Sequence, residues 1–325
     1  MSSLFLVICH WKRPPVCRTF VLSKAMSYDK QNTKKMEKKI LISSGGMNAR
    51  VRHLLVNRLI PNHHTHAVGP FVFLDHLYPT EQKPGTPKPP TGEAAHPHRG
   101  IATFSYIFSG ALQHFDSRGH HGIVSAGGAQ WMKAGNGVIH DENPAADFVQ
   151  QGGILHGLQF WINLPAKNKA EMPDYLAVQP SDLPVTELPE DAGSIKVLIG
   201  TCGVNASPVT TFLNEFMYHI TLNPKASFTY TTKDTLEYAA FVPSEEVKIN
   251  GTVFSKSELV TFAQDNGEIT FTNNGITPSS VILFGGSHYA EPIVAEGPFV
   301  MNSQKEIAEA YGDFFDGKYG EIKYQ

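Results

Sequence analysis

The sequence predicts an all-β protein of two domains, closed by a C-terminal helix. Three observations carry that expectation. The 325 residues are too many for one ordinary globular core and comfortable for two. Gly (28), Pro (22) and Phe (20) are plentiful, as many short strands joined by tight turns require. From about Lys39 onward, β-branched and aromatic runs alternate with turn residues at short spacing, which argues for a sandwich or barrel against a parallel α/β sheet.

The elements follow in order. Residues 1–28 contain Lys12, Arg13, Arg18 and Lys24 but no acid, and an apolar run at 4–9 precedes the charges. A secretory signal has the opposite order and a longer apolar stretch. Residues 1–38 are read as an extension, disordered or following a mis-assigned start, with Met26 or Met36 as the functional beginning; a mitochondrial-type presequence is the alternative. The first domain is expected over 39–179, with strands at 101–108, 129–132 and 154–164, each bounded by glycines or Pro165. A Pro/Gly/Thr-rich surface loop occupies 81–92. The acidic, Pro-containing stretch 180–193 is read as the linker. The second domain, 194–325, is expected to hold strands at 212–222, 236–242, 247–249, 253–254, 259–262, 269–272 and 281–284. Asn250–Gly251 is a type I′ hairpin signal, because both central positions need positive φ. Ser303 and Glu306 form a capping box, after which Ile307, Ala310, Tyr311 and Phe314 share one helical face, as in a helix packed over a barrel.

Charge and cysteine content restrict the function classes. With 30 acids against 27 bases, the net charge of -3 offers no long-range attraction for nucleic acid, and no local basic face stands out. Cys9, Cys17 and Cys202 are scattered, without zinc-type spacing or a disulfide framework, so a reducing cytoplasm is expected. No apolar stretch approaches the length of a membrane span, and no membrane partner is expected.

The histidines are unevenly spread. Of 15, 12 lie between His53 and His156, so one β domain is expected to do chemistry that the other does not. His63, His64 and His66 crowd one loop and read as solvated. In Ala95-His96-Pro97-His98-Arg99-Gly100, two imidazoles at i and i+2 point to one side of an extended chain. Gly135-Asn136-Gly137-Val138-Ile139-His140-Asp141-Glu142 places a second pair at the same spacing after turn-forming glycines. Three imidazoles and one carboxylate make a donor set for Fe(II), Mn, Ni or Zn, and the lack of cysteine disfavours a closed structural zinc site. A lone His-x-His is more often an accident than a ligand pair; two, each beside glycine and a strand, favour one bound metal ion.

These residues resemble a known family. His96-Pro97-His98-Arg99-Gly100, Gln130-Trp131-Met132, Ala134-Gly135, Gly137, Ile139-His140, Glu142, His156-Gly157-Leu158-Gln159, Trp161 and Asn163-Leu164 resemble the pirins, as does Gly297-Pro298-Phe299-Val300-Met301-Asn302. Gly69-Pro70-Phe71 and Leu74-Asp75 look like the family's opening segment. The resemblance runs from about Lys39 to the end. It implies a bicupin of two antiparallel β-barrel (jelly-roll) domains facing each other, with a metal only in the first. Carried over position by position, the ligands are His96, His98, His140 and Glu142. The implied metal is Fe(II), with Mn, Ni, Cu or Zn as alternatives. Some members resemble quercetin 2,3-dioxygenases, while animal members are described as nuclear transcription co-regulators. Ala102 stands where pirins usually carry a glutamate, which puts the shell around the metal in doubt.

The activity this implies is cleavage of a flavonol or similar enol by dioxygen, with Glu142 as ligand and catalytic base. The partners would then be a small-molecule substrate and O2, in a monomer. The rival class is a non-catalytic, iron-binding regulatory protein acting through a protein partner; a Lewis-acid cupin enzyme such as an isomerase is a third. His114 is a reserve ligand or a residue behind the ligands. Phe104, Tyr106, Trp131, Met132, Gln159 and Trp161 are pocket candidates for which core packing is at least as natural, and Arg99 suits a loop-fixing salt bridge better than substrate steering.

Overall fold

The computed structural model describes residues 36–51 and 54–324. Nearly all of the extension expected over 1–38 lies outside them, as does His53. The chain is mostly β, in two cupin domains of one layout. Each is a jelly roll of two facing antiparallel sheets, not one closed barrel. The first domain pairs a seven-stranded sheet, in the order Asp174–Val178, Ala129–Lys133, Ile101–Ser109, Gly153–Asn163, Phe71–Gln82, Leu54–Ile60, Met47–Val51, with a four-stranded sheet, His96–His98, Val138–Pro144, Ala111–Asp116, His121–Ser125. In the second domain the seven strands run Ile40–Ser44, Glu258–Phe262, Leu236–Val242, Ser279–Ser287, Phe216–Leu222, Gly193–Ile199, Val185–Glu187. Its four-stranded sheet is Ser227–Thr231, Glu268–Thr272, Val247–Ile249, Thr252–Phe254.

The ends of the described residues are exchanged between the domains. Ile40–Ser44, the first strand, is an edge of the second domain's large sheet. The Lys38 backbone N–H donates to the Glu268 carbonyl at 2.8 Å, anchoring the same segment. At the other end, the strand Phe299–Met301 and the helix Gln304–Phe315 return to the first domain, where Arg99 bridges Phe299 and its guanidinium meets Asp313 at 2.6 Å. That is the salt-bridge role expected of Arg99. The stretch read as a linker is built into the fold: Val185–Glu187 pairs with Gly193–Ile199.

The two seven-stranded sheets lie against each other through one apolar core. Phe104, Tyr106, Trp131, Leu158 and Phe160 from the first meet Met217, Ala239, Phe241, Ile282 and Phe284 from the second. Because strand side chains alternate, the residues between them point into each domain's own interior. Asn250 and Gly251 take φ of 48° and 77°, as the hairpin signal requires. The Ser303 hydroxyl accepts from the Glu306 N–H at 3.3 Å and starts the terminal helix, which buries Ile307 and Ala310. The strand expected over 212–222 begins only at Phe216: Asn214 has φ of 51°, and the Glu215 carboxylate accepts from the N–H groups of Phe212 and Leu213. A six-residue helix, Ala146–Gln151, was not anticipated. No helix among the described residues is long and apolar enough to cross a membrane.

Candidate metal centre

Two short strands bring the predicted residues together. His96–His98 pairs antiparallel with Val138–Pro144 so that His96 lies directly opposite His140 and His98 opposite Val138. The latter strand pairs on its other side with Ala111–Asp116, setting Glu142 opposite His114 and His140 opposite Asp116. Residues opposite each other, and those two apart, share a face, so His96, His98, His140, Glu142 and His114 all point inward. Close approach of the C-terminal segment fixes the turns. Gly100 has φ of 81°, and a Cβ there would lie 2.0 Å from the Val300 carbonyl oxygen; at Gly137 it would lie 2.1 Å from the Tyr319 ring. No other residue fits either place.

Ligand atoms of His96, His98 and His140 lie within 4.8 Å of one another. Nε2 of His140 is 3.0 Å from Nε2 of His96. Two tautomers are set from behind: Nδ1 of His96 lies 2.9 Å from the Ala94 carbonyl and Nδ1 of His98 lies 3.0 Å from that of Pro298. Each Nδ1 therefore carries the proton, and each Nε2 lone pair faces the shared space. Burial, with help from His96, lowers the His98 pKa to about 3, so that ring is the neutral, ligating form. Lone pairs aimed at one point repel unless a proton or cation lies between them, and the donor set fits a divalent transition-metal ion.

Glu142 joins a second group, with His114 and His140, whose ligand atoms also lie within 4.8 Å of one another. Its carboxylate accepts from Gln130 through Oε1 and from Gln159 through Oε2, the latter at 2.9 Å. His114 stacks on Tyr175 with ring centroids 4.1 Å apart, and its Nε2 is 3.4 Å from the buried Asp116 carboxylate, which also holds His120 Nδ1 at 2.8 Å. Beside these groups opens a cavity of about 150 Å³, lined by His96, Glu142, Gln159, Ser105 and Asp75 and by apolar residues including Val56, Leu77, Ile107, Leu112 and Leu158.

The other expected residues are distributed by alternation. Gln159 lines the cavity. Phe104, Tyr106 and Trp131 point to the opposite face of the sheet and pack between the domains. Met132 packs with Ile101 and Val138, and Trp161 meets the His98 ring at 5.0 Å. Sequence reasoning assigned no role to a polar row that crosses the sheet floor. Arg58, Asp75, Gln159, Ser105 and Gln130 are directly opposite one another on five adjacent strands. Arg58 grips Asp75 through two bonds of 2.9 and 2.8 Å, and the buried Ser105 hydroxyl has no hydrogen-bond partner among the described residues. Lys169 was missed as well. Its buried ammonium donates to the carbonyls of Gly100 and Val300 at 2.8 and 2.7 Å and to Asn163 at 2.5 Å, tying the ligand loop to the C-terminal segment. Strand pairing reveals the row, and the tertiary placement of a loop reveals Lys169; neither is encoded in local spacing.

Comparison with known proteins agrees with the two-domain cupin fold. The family model described as Pirin matches residues 49–162, and the one described as Pirin C-terminal cupin domain matches residues 217–320. Pirin-like protein 2 of Arabidopsis thaliana is 33% identical over 275 residues, covering 82% of this chain and 80% of its own. A pirin-like protein of Solanum lycopersicum is 32% identical over 269 residues, covering 82% and 87%. Among solved structures, a quercetin 2,3-dioxygenase from Acinetobacter baumannii superposes with a TM-score of 0.82 at 28% identity, covering 88% of this chain and all of that one.

Proposed function

The chain belongs to the pirin family, and on that premise we propose that it is an iron-dependent dioxygenase of the quercetin 2,3-dioxygenase type, acting on a flavonol or similar enol. The observation that carries the reading is that one cavity with largely apolar walls is lined both by His96, a member of the imidazole trio, and by Glu142. A flat, hydroxylated ring fits walls of Val56, Leu77, Ile107, Leu112 and Leu158, which keep water from the reacting atoms. In this reading His96, His98 and His140 hold the ion and Glu142 is its fourth ligand. The ion would supply Lewis acidity and one-electron chemistry with dioxygen. Glu142, already an acceptor of two amide N–H bonds, takes the proton of the substrate hydroxyl, leaving an electron-rich anion among apolar side chains. Ser105, whose hydroxyl lacks a partner among the described residues, orients a second substrate oxygen. The likeness to the Acinetobacter structure supports the same chemistry.

The test is oxygen uptake by anaerobically iron-loaded protein given quercetin. Uptake with a ring-cleaved product is expected. Stoichiometrically bound iron with neither would overturn the dioxygenase reading and leave a metal-bearing regulatory protein.

A further inference from the structure

Glu142 is held twice, from two strands of the opposite sheet. Gln130 and Gln159 lie directly opposite Ser105 on either side, so their amides straddle Ser105 and meet the carboxylate descending from the small sheet. The Gln130 amide is itself oriented: the Tyr175 hydroxyl donates to Oε1 at 3.2 Å, leaving its NH2 group for Glu142. Tyr175 is in turn fixed flat on His114, the two planes 5° apart. Glu142 thus lies with His114 and His140, while His96, His98 and His140 form the separate trio, and only His140 is common to both.

We propose that Gln130 and Gln159 are positioning residues that clamp the Glu142 carboxylate beside the imidazole trio, so that a cation there competes with their amides when it takes Glu142 as its fourth ligand. The proposal rests on the reading above that the trio takes a divalent cation. Hydrogen bonds from an amide to a carboxylate are charge-assisted and are partly buried here, so they compete with coordination. The clamp keeps the carboxylate at the cavity wall, where it also serves as a proton acceptor.

The experiment titrates the metal-stripped full-length chain with Co(II), read by its visible absorption and by competition with a chelator. Without the clamp, Q130L/Q159L should bind Co(II) about tenfold more tightly, with an altered visible band. Adding E142Q to that variant should erase the gain. Y175F, which leaves the packing intact, should shift affinity the same way by about twofold and covers the case in which the double variant does not fold. Wild-type protein that takes up no Co(II) would overturn the cation reading and the clamp with it. Normal uptake with unchanged or weaker binding in Q130L/Q159L and Y175F, or a gain that survives E142Q, would overturn the clamp alone.

Discussion

The two domains share a strand order and differ in what faces inward. Where the first has His96–His98 at the edge of its small sheet, the second has Ser227–Thr231, whose partly buried Phe228 and Tyr230 pack on the interior cluster. Where the first has Val138–Pro144 with His140 and Glu142, the second has Glu268–Thr272 with Ile269 and Phe271, both fully buried. The large sheets differ likewise. The first turns Asp75, Gln159, Ser105 and Gln130 inward, whereas the second turns Tyr218, Ile220, Tyr238, Ala240, Val281 and Leu283. One scaffold therefore yields a polar site when its inner positions are imidazole, amide and carboxylate, and a packed core when they are aliphatic and aromatic. The packed domain also supplies the backing on which the polar one rests, through the shared core, while the returning C-terminal segment supplies the Pro298 carbonyl behind His98.

The largest expected effect falls on the polar side. H98A/H140A removes two of three converging imidazoles and should leave no stoichiometric metal by mass spectrometry, while circular dichroism shows an unchanged β fold. Retained stoichiometric metal would place the site elsewhere and end the distinction between the domains. On the packed side, L283A opens a hole among fully buried neighbours and should cost about 2–5 kcal/mol in denaturant unfolding. The folded fraction should still bind metal with wild-type affinity. A large loss of affinity would mean that the second domain tunes the site through more than passive support.

The sequence made the all-β class and the terminal helix readable because each rests on local signals: alternation, Asn250–Gly251, and Ser303 with Glu306. It also made the imidazole trio readable, since i, i+2 pairs beside glycines carry their own geometry. What it hid is non-local. That Ile40–Ser44 completes the second domain's sheet follows from pairing across more than 200 positions, which no periodicity encodes. The pocket candidates divided for the same reason. Gln130 and Trp131, or Ser105 and Phe104, are adjacent in sequence but lie on opposite faces, and only register decides which of each pair meets the site. The engagement of Glu142 by two glutamines from the opposite sheet lay beyond any spacing rule.

The smallest predicted effect concerns the seam between the domains. His76 and His156 face each other with Nε2 atoms 2.8 Å apart, His76 Nδ1 reaches Ser257 of the second domain at 3.1 Å, and the Phe241 ring packs on His76. Burial lowers both histidines from the usual 6.5, to about 3 for His76, helped by His156, and to about 4 for His156. The unfolded chain therefore binds protons that the folded chain refuses, and stability falls as pH drops from about 6.5 toward 4. Because the two sites are coupled and His156 is partly screened by solvent, the loss should be about 2 kcal/mol rather than the full sum of both shifts. Urea unfolding at pH 7 and pH 4.5 measures it, and H156L should flatten the slope by about half. Since neither histidine touches the imidazole trio, a wild-type slope in H156L would assign the acid sensitivity to the other imidazoles that burial lowers, His98 of the trio, to about 3, or His219 beside Tyr106, to about 4.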